Sequence, residues 1–151
     1  MLHLALFYSL LLCACGYALA RGGGPERTVA MMMLGGVVAT RITLSAAALR
    51  YRDVETTILT IDTAVMIGFL LVASRADRRW PMAVATLHGL SVAAHAARGV
   101  SPEMIRVVYK TIMVAWVYPQ LLLLIAGTWR HRTRLTRLGA DPSWSSSSRP
   151  S

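Results

Sequence analysis

The sequence predicts an all-α fold, a polytopic membrane bundle of five transmembrane helices. Two observations carry this expectation. From Leu2 to Gly127 the chain is almost continuously apolar, cut only by short clusters rich in arginine. Hydrophobic residues make up 55% of the chain, yet the formal net charge is +9. A soluble domain spreads its charges over its surface. Here they gather at the joints between apolar blocks, as in a protein that crosses a bilayer several times.

A helix needs about 20 residues to cross the hydrocarbon core. Five blocks of that order are read at Leu2–Ala20, Thr28–Leu49, Val54–Ser74, Pro81–Ala97 and Glu103–Thr128. The joints are short, so neighbouring helices are expected to be antiparallel hairpins. Residues 1–138 then form one transmembrane bundle and residues 139–151 a disordered tail, with consecutive serines from Ser145 to Ser148. No stretch is left for a soluble domain, which argues against most enzyme classes.

The first block ends in Ala18-Leu19-Ala20, similar to a cleavage site for small residues, but no lysine or arginine precedes its apolar run. A retained helix is therefore expected. Cys13 and Cys15 lie within it at a spacing that points them apart, so they are read as small apolar packing residues. The second block is interrupted by Arg41 and closed by Arg50 and Arg52. Its alternative is a partly inserted segment, giving four spans plus one. Charge bias favours five. Arg21 and Arg27, Arg75, Arg78 and Arg79, and Arg130, Arg132, Arg134 and Arg137 then share one side, against Arg50, Arg52 and Arg98 on the other. The positive-inside rule makes the first side cytoplasmic, with the amino terminus periplasmic and the carboxyl terminus cytoplasmic.

The joints have their own chemistry. Arg21-Gly22-Gly23-Gly24-Pro25-Glu26-Arg27 reads as a hinge, because no Gly-Lys-Ser follows the glycines to make a phosphate loop. Arg78-Arg79-Trp80-Pro81 reads as a membrane entry, with arginines on phosphate and tryptophan at the headgroups. Pro119 is expected to kink the fifth helix. Arg130-His131-Arg132-Thr133-Arg134 is expected to lie on anionic headgroups of the bilayer, rather than on nucleic acid.

Ionisable residues inside spans are the main functional candidates. Counted at 1.5 Å per residue, Arg41, Asp62, His95 and Lys110 all fall in the outer half of the membrane, on four different helices. Asp62 is expected to pair with Lys110 or Arg41. The layer is either an interhelical ion pair or a small polar pocket for a proton, an anion or a quinone-like headgroup. Glu55, His88 and Thr60 are secondary candidates. Thr56, Thr60 and Thr63 share one face and either line the pocket or bond back to carbonyls. His88 and His95 are seven residues apart on one helix, too far along its axis to bind one haem iron together. Ala85, Gly89, Ala93 and Ala97 recur every four residues, a seam of small residues that lets another helix or a partner subunit approach.

The strings Asp77-Arg78-Arg79-Trp80-Pro81, Trp129-Arg130-His131-Arg132 and Asp141-Pro142-Ser143-Trp144 resemble those of short alphaproteobacterial inner-membrane proteins. The resemblance covers most of the chain. It implies a helical membrane architecture and an inner-membrane location. No activity is known for that group, so no catalytic residue carries over. The expectation is a non-enzymatic accessory or interaction protein, with a protein subunit or a second copy as partner and no cofactor or metal. The alternatives are a small transporter or ligand-binding protein using the polar layer, and a redox component binding haem or quinone.

Overall fold

A computed structural model of the chain describes residues 2–46, 51–100 and 115–144, with side chains for residues 4–44, 56–97 and 115–144. Five helices are seen among the described residues: α1 (Leu2–Arg21), α2 (Gly24–Ala46), α3 (Tyr51–Arg75), α4 (Trp80–Val100) and α5 (Val117–Leu138). Residues 103–114 of the predicted fifth span, Lys110 among them, lie outside the described residues.

The helices close into a ring. α1 packs on α2, α2 on α3, α3 on α4, α4 on α5, and α5 returns to α1. Short joints bring the carboxyl ends of α1 and α3 to the same end as the amino ends of α2 and α4, and the contact of Arg78 with Asp141 places the carboxyl end of α5 there too. We term this the basic end, because Arg21, Arg27, Arg75, Arg79, Arg130 and Arg132 all belong to it.

The ring carries its polarity inside out. Leu6, Leu12, Ile42 and Leu122 face outward, each more than half exposed, while Glu26, Ser91, Gln120, Thr128 and His131 are buried. A soluble bundle does the reverse. Among the described residues, three helices contain segments long and apolar enough to cross a membrane, Leu4–Arg21, Gly24–Leu44 and Thr56–Arg75. With the apolar outer face, this makes the chain a membrane helical bundle.

Helix ends depart from the predicted ones for local reasons. α2 starts at Gly24, four residues before the expected Thr28, with Pro25 in its first turn, where a missing N–H costs nothing. α5 begins at Val117, so Pro119 occupies its first turn; the upstream part of the span that Pro119 is expected to kink, residues 103–114, lies outside the described residues. At its other end α5 runs ten residues beyond the expected Thr128 and takes the whole basic run into the helix. It stops at Gly139, whose φ of 71° lets its N–H reach the Leu135 carbonyl at 3.0 Å.

Close packing concentrates at glycines other than the predicted seam. A Cβ on Gly127 would lie 2.7 Å from Trp80, and one on Gly68 would lie 2.9 Å from Met32. On the predicted seam, Ala85 is buried, but a Cβ on Gly89 would meet Met66 only at an ordinary 3.6 Å. Ala93 and Ala97 are exposed.

Candidate functional site

All five helices contribute to a cavity of about 320 Å³ inside the ring. Its walls are mainly apolar, with Leu11 from α1, Met33 from α2, Phe69 from α3 and Leu121 from α5. Among the polar exceptions, Arg41, Asp62, His88 and Gln120 stand on four different helices, and Tyr8 and Thr40 add two hydroxyls.

Asp62 organises the α3–α4 wall. Its carboxylate Oδ2 is 3.0 Å from Nε2 of His95, and its backbone carbonyl accepts a hydrogen bond from Nε2 of His88 at 3.1 Å. The seven-residue spacing that separates the two imidazoles along α4 lets both reach one residue of α3. His88 also stands edge-to-face against Phe69, with ring centroids 5.2 Å apart. Gln120 donates through Nε2 to the Trp116 carbonyl at 3.1 Å, in the first turn of α5.

Of the predicted layer, the structure joins Asp62 to His95 and sets Arg41 on the same cavity. Arg41 takes no part in the Asp62 pair. Its guanidinium lies over the Tyr8 ring, 5.4 Å from the centroid. Glu55 falls on α3, but its side chain is outside the described residues, as is all of Lys110. Thr60 is exposed and bonds back to the Thr56 carbonyl at 2.9 Å, and Thr63 does the same to Leu59 at 2.7 Å. Neither hydroxyl is turned to the cavity wall.

A second polar cluster, not anticipated from the sequence, occupies the basic end. Glu26 of α2 is fully buried. One of its oxygens accepts from Nη1 of Arg78, and the other from the Gly23 N–H at 3.1 Å. Arg78, in the α3–α4 joint, also reaches Asp141 Oδ2 through Nη2 at 2.7 Å. Arg134 of α5 grips both Asp141 oxygens, through Nε at 2.8 Å and Nη2 at 3.2 Å. His131 Nδ1 is 2.5 Å from Asp141 Oδ2. An ionised carboxylate can only accept, so this nitrogen carries the proton. Two carboxylates thus face two guanidiniums, with His131 as a further donor.

Burial alone would push the Asp141 carboxyl up. Hydrogen bonds from Arg134 and His131, with the charges of Arg78 and Arg134, outweigh it and hold the group below its ordinary range.

This cluster corrects three expectations. Arg78 does not face lipid phosphate, because its side chain is only 4% exposed and both carboxylates it pairs with belong to the chain. The segment after Leu138 is not disordered throughout. Asp141 to Trp144 docks on the α1–α2 joint, where Ser143 Oγ accepts from the Gly24 N–H at 3.2 Å. The glycines there are a floor for that strap and not a hinge. A Cβ on Gly23 would lie 2.7 Å from Ser143 Oγ, and one on Gly24 would lie 2.6 Å from the Trp144 indole nitrogen. The signal was present in the sequence. The three strings singled out for their resemblance supply Arg78, His131 and Asp141, and they meet here.

The chain matches no known family model, no curated protein and no solved structure.

Proposed function

We propose that the chain is a five-span inner-membrane protein that binds a small, largely apolar molecule within its helical ring. The observation that carries this reading is the cavity, apolar over most of its wall and polar at Arg41 and along the Asp62–His88 side. Sites for small ligands have this composition, with a few placed polar groups in an apolar shell. Fixing the α3–α4 wall through Asp62 holds its shape in the absence of ligand. The basic end is cytoplasmic in this reading, with the amino terminus periplasmic, and its arginines lie on anionic headgroups.

Gentle extraction from native membranes, followed by mass spectrometry of the intact protein, tests the reading. A co-purifying small molecule that is lost when Met33→Trp fills the cavity supports it. The same experiment addresses an accessory role, which the exposed Ala93 and Ala97 on α4 favour, because small residues on an open helix face suit a partner helix. A stoichiometric protein partner and no small molecule would decide for that role. A haem-binding reading draws less support, since Nε2 of both His88 and His95 is engaged by Asp62.

A further inference from the structure

Among the described residues, the cavity has a cation at its rim, Arg41, that belongs to no ion pair. Arg41 stands three residues before the end of the apolar segment Gly24–Leu44, on the cavity wall and exposed. Three other polar groups on that wall are engaged within the protein: Asp62 with His95, His88 with the Asp62 carbonyl, and Gln120 with the Trp116 carbonyl. Among the described residues, Arg41 has only the face of Tyr8, and none of the ion pairs includes it. A guanidinium offers a rigid fork of N–H donors that fits a carboxylate or a phosphate. At the edge of a hydrocarbon layer such a charge is stabilised by an anion beside it.

We propose that the cavity takes the acyl chain of an anionic amphiphile, with the carboxylate or phosphate on Arg41 and the chain running inward toward Met33 and Phe69. The inference rests on the cavity-binding reading and specifies its ligand. The dimensions agree with it. Eight residues of α2 separate Arg41 from Met33, a rise of about 12 Å. At about 30 Å³ for a water-sized group, the cavity volume holds roughly ten such groups, a medium-length chain. The Asp62 carboxylate is turned to His95 Nε2 at 3.0 Å, across the α3–α4 wall, which leaves Arg41 as the group that receives the acid. A free fatty acid and one chain of an anionic phospholipid present the same chemistry.

The test uses the full chain in nanodiscs of zwitterionic phosphatidylcholine and equilibrium dialysis of three ten-carbon probes: decanoate, decanol and decyltrimethylammonium. Decanoate is expected to bind at least tenfold tighter than decanol. Arg41→Gln should erase that difference while decanol binding stays, and Arg41→Lys should retain part of it. Arg41 is exposed, so these variants are expected to fold, and a thermal melt checks it. Equal binding of decanoate and decanol, a preference for the cationic probe, or an Arg41→Gln protein that still prefers decanoate would overturn the assignment and leave the cavity reading standing. Binding of none of the three would overturn both. Where decanoate is preferred, competition by phosphatidylglycerol in the disc identifies a bilayer lipid as the source of the acid, and its absence identifies a free fatty acid. Both support the acid on Arg41.

Discussion

Arg78 and Asp141, 63 residues apart in the sequence, meet at 2.7 Å and tie the strap after α5 to the joint between α3 and α4. Arg78 holds Glu26 with its other terminal nitrogen, so one guanidinium bridges α2, the α3–α4 joint and the chain's last described segment. Replacing Glu26 by Gln removes the carboxylate that is most deeply buried and leaves Arg78 partly uncompensated. Breaking a buried pair in this way costs about 3–5 kcal/mol. Thermal unfolding in detergent should show the loss. Asp141→Asn should cost less, because Arg134 is 40% exposed and is rehydrated when its partner goes. Equal effects at the two positions would mean that the strap bears as much of the fold as α2 does.

The strap should also respond to acid. The docked Asp141 carboxyl titrates below its ordinary range, so docking favours the ionised form. Its contribution is complete above the carboxyl range of the free strap, declines as pH falls through that range, and is gone below the docked value. The groups facing it are Arg78, Arg134 and His131. Hydrogen exchange at the Gly24 amide, which donates to Ser143, should therefore be protected at neutral pH and lose protection under acid conditions. Asp141→Asn should give weak protection at every pH. A pH-independent Gly24 amide in the wild type would show that Asp141 does not hold the strap.

Glycine positions separate tight packing from open space. A Cβ on Gly127 would push into the Trp80 indole at 2.7 Å, whereas Gly16 has nothing within 4 Å. Gly127→Ala should destabilise by about 1–3 kcal/mol, the usual cost of overpacking. Gly16→Ala should stabilise by up to about 1 kcal/mol through helix propensity. Similar melting temperatures for the two variants would contradict the observed Trp80 placement.

The helical class was legible in the apolar blocks because span length and arginine punctuation are local properties of the chain. The contact of Asp62 with His95 is consistent with their common depth, since counting residues from a helix end estimates depth. Counting does not give rotation about the helix axis, and that decides which groups at one depth touch. It is why depth alone nominates Arg41 as a partner of Asp62, whereas among the described residues His95 is the one that meets it; Lys110 lies outside them. The cluster at the basic end was hidden for a different reason. Its arginines look like topology signals, and its acids lie in a glycine turn and a polar tail. Only the folded ring brings positions 26, 78, 131 and 141 together.

The Asp62–His95 contact gives the last prediction, because it separates structural pairing from a role in binding. Asp62→Asn removes a charge-assisted contact worth about 1.5–3 kcal/mol and should lower stability by that order. Adding His95→Gln should recover much of the loss, since Asn and Gln can bond to each other across α3 and α4. Adding Arg41→Gln instead should recover nothing, because Arg41 takes no part in the pair. Thermal melts of the wild type, the three single variants and the two double variants form the two double-mutant cycles that measure this coupling. Recovery with Arg41→Gln and not with His95→Gln would reassign the partner. Ligand retention in the Asp62→Asn, His95→Gln protein then completes the argument. Retention makes the pair a brace for the cavity wall, and loss with restored stability makes these two side chains part of the binding surface.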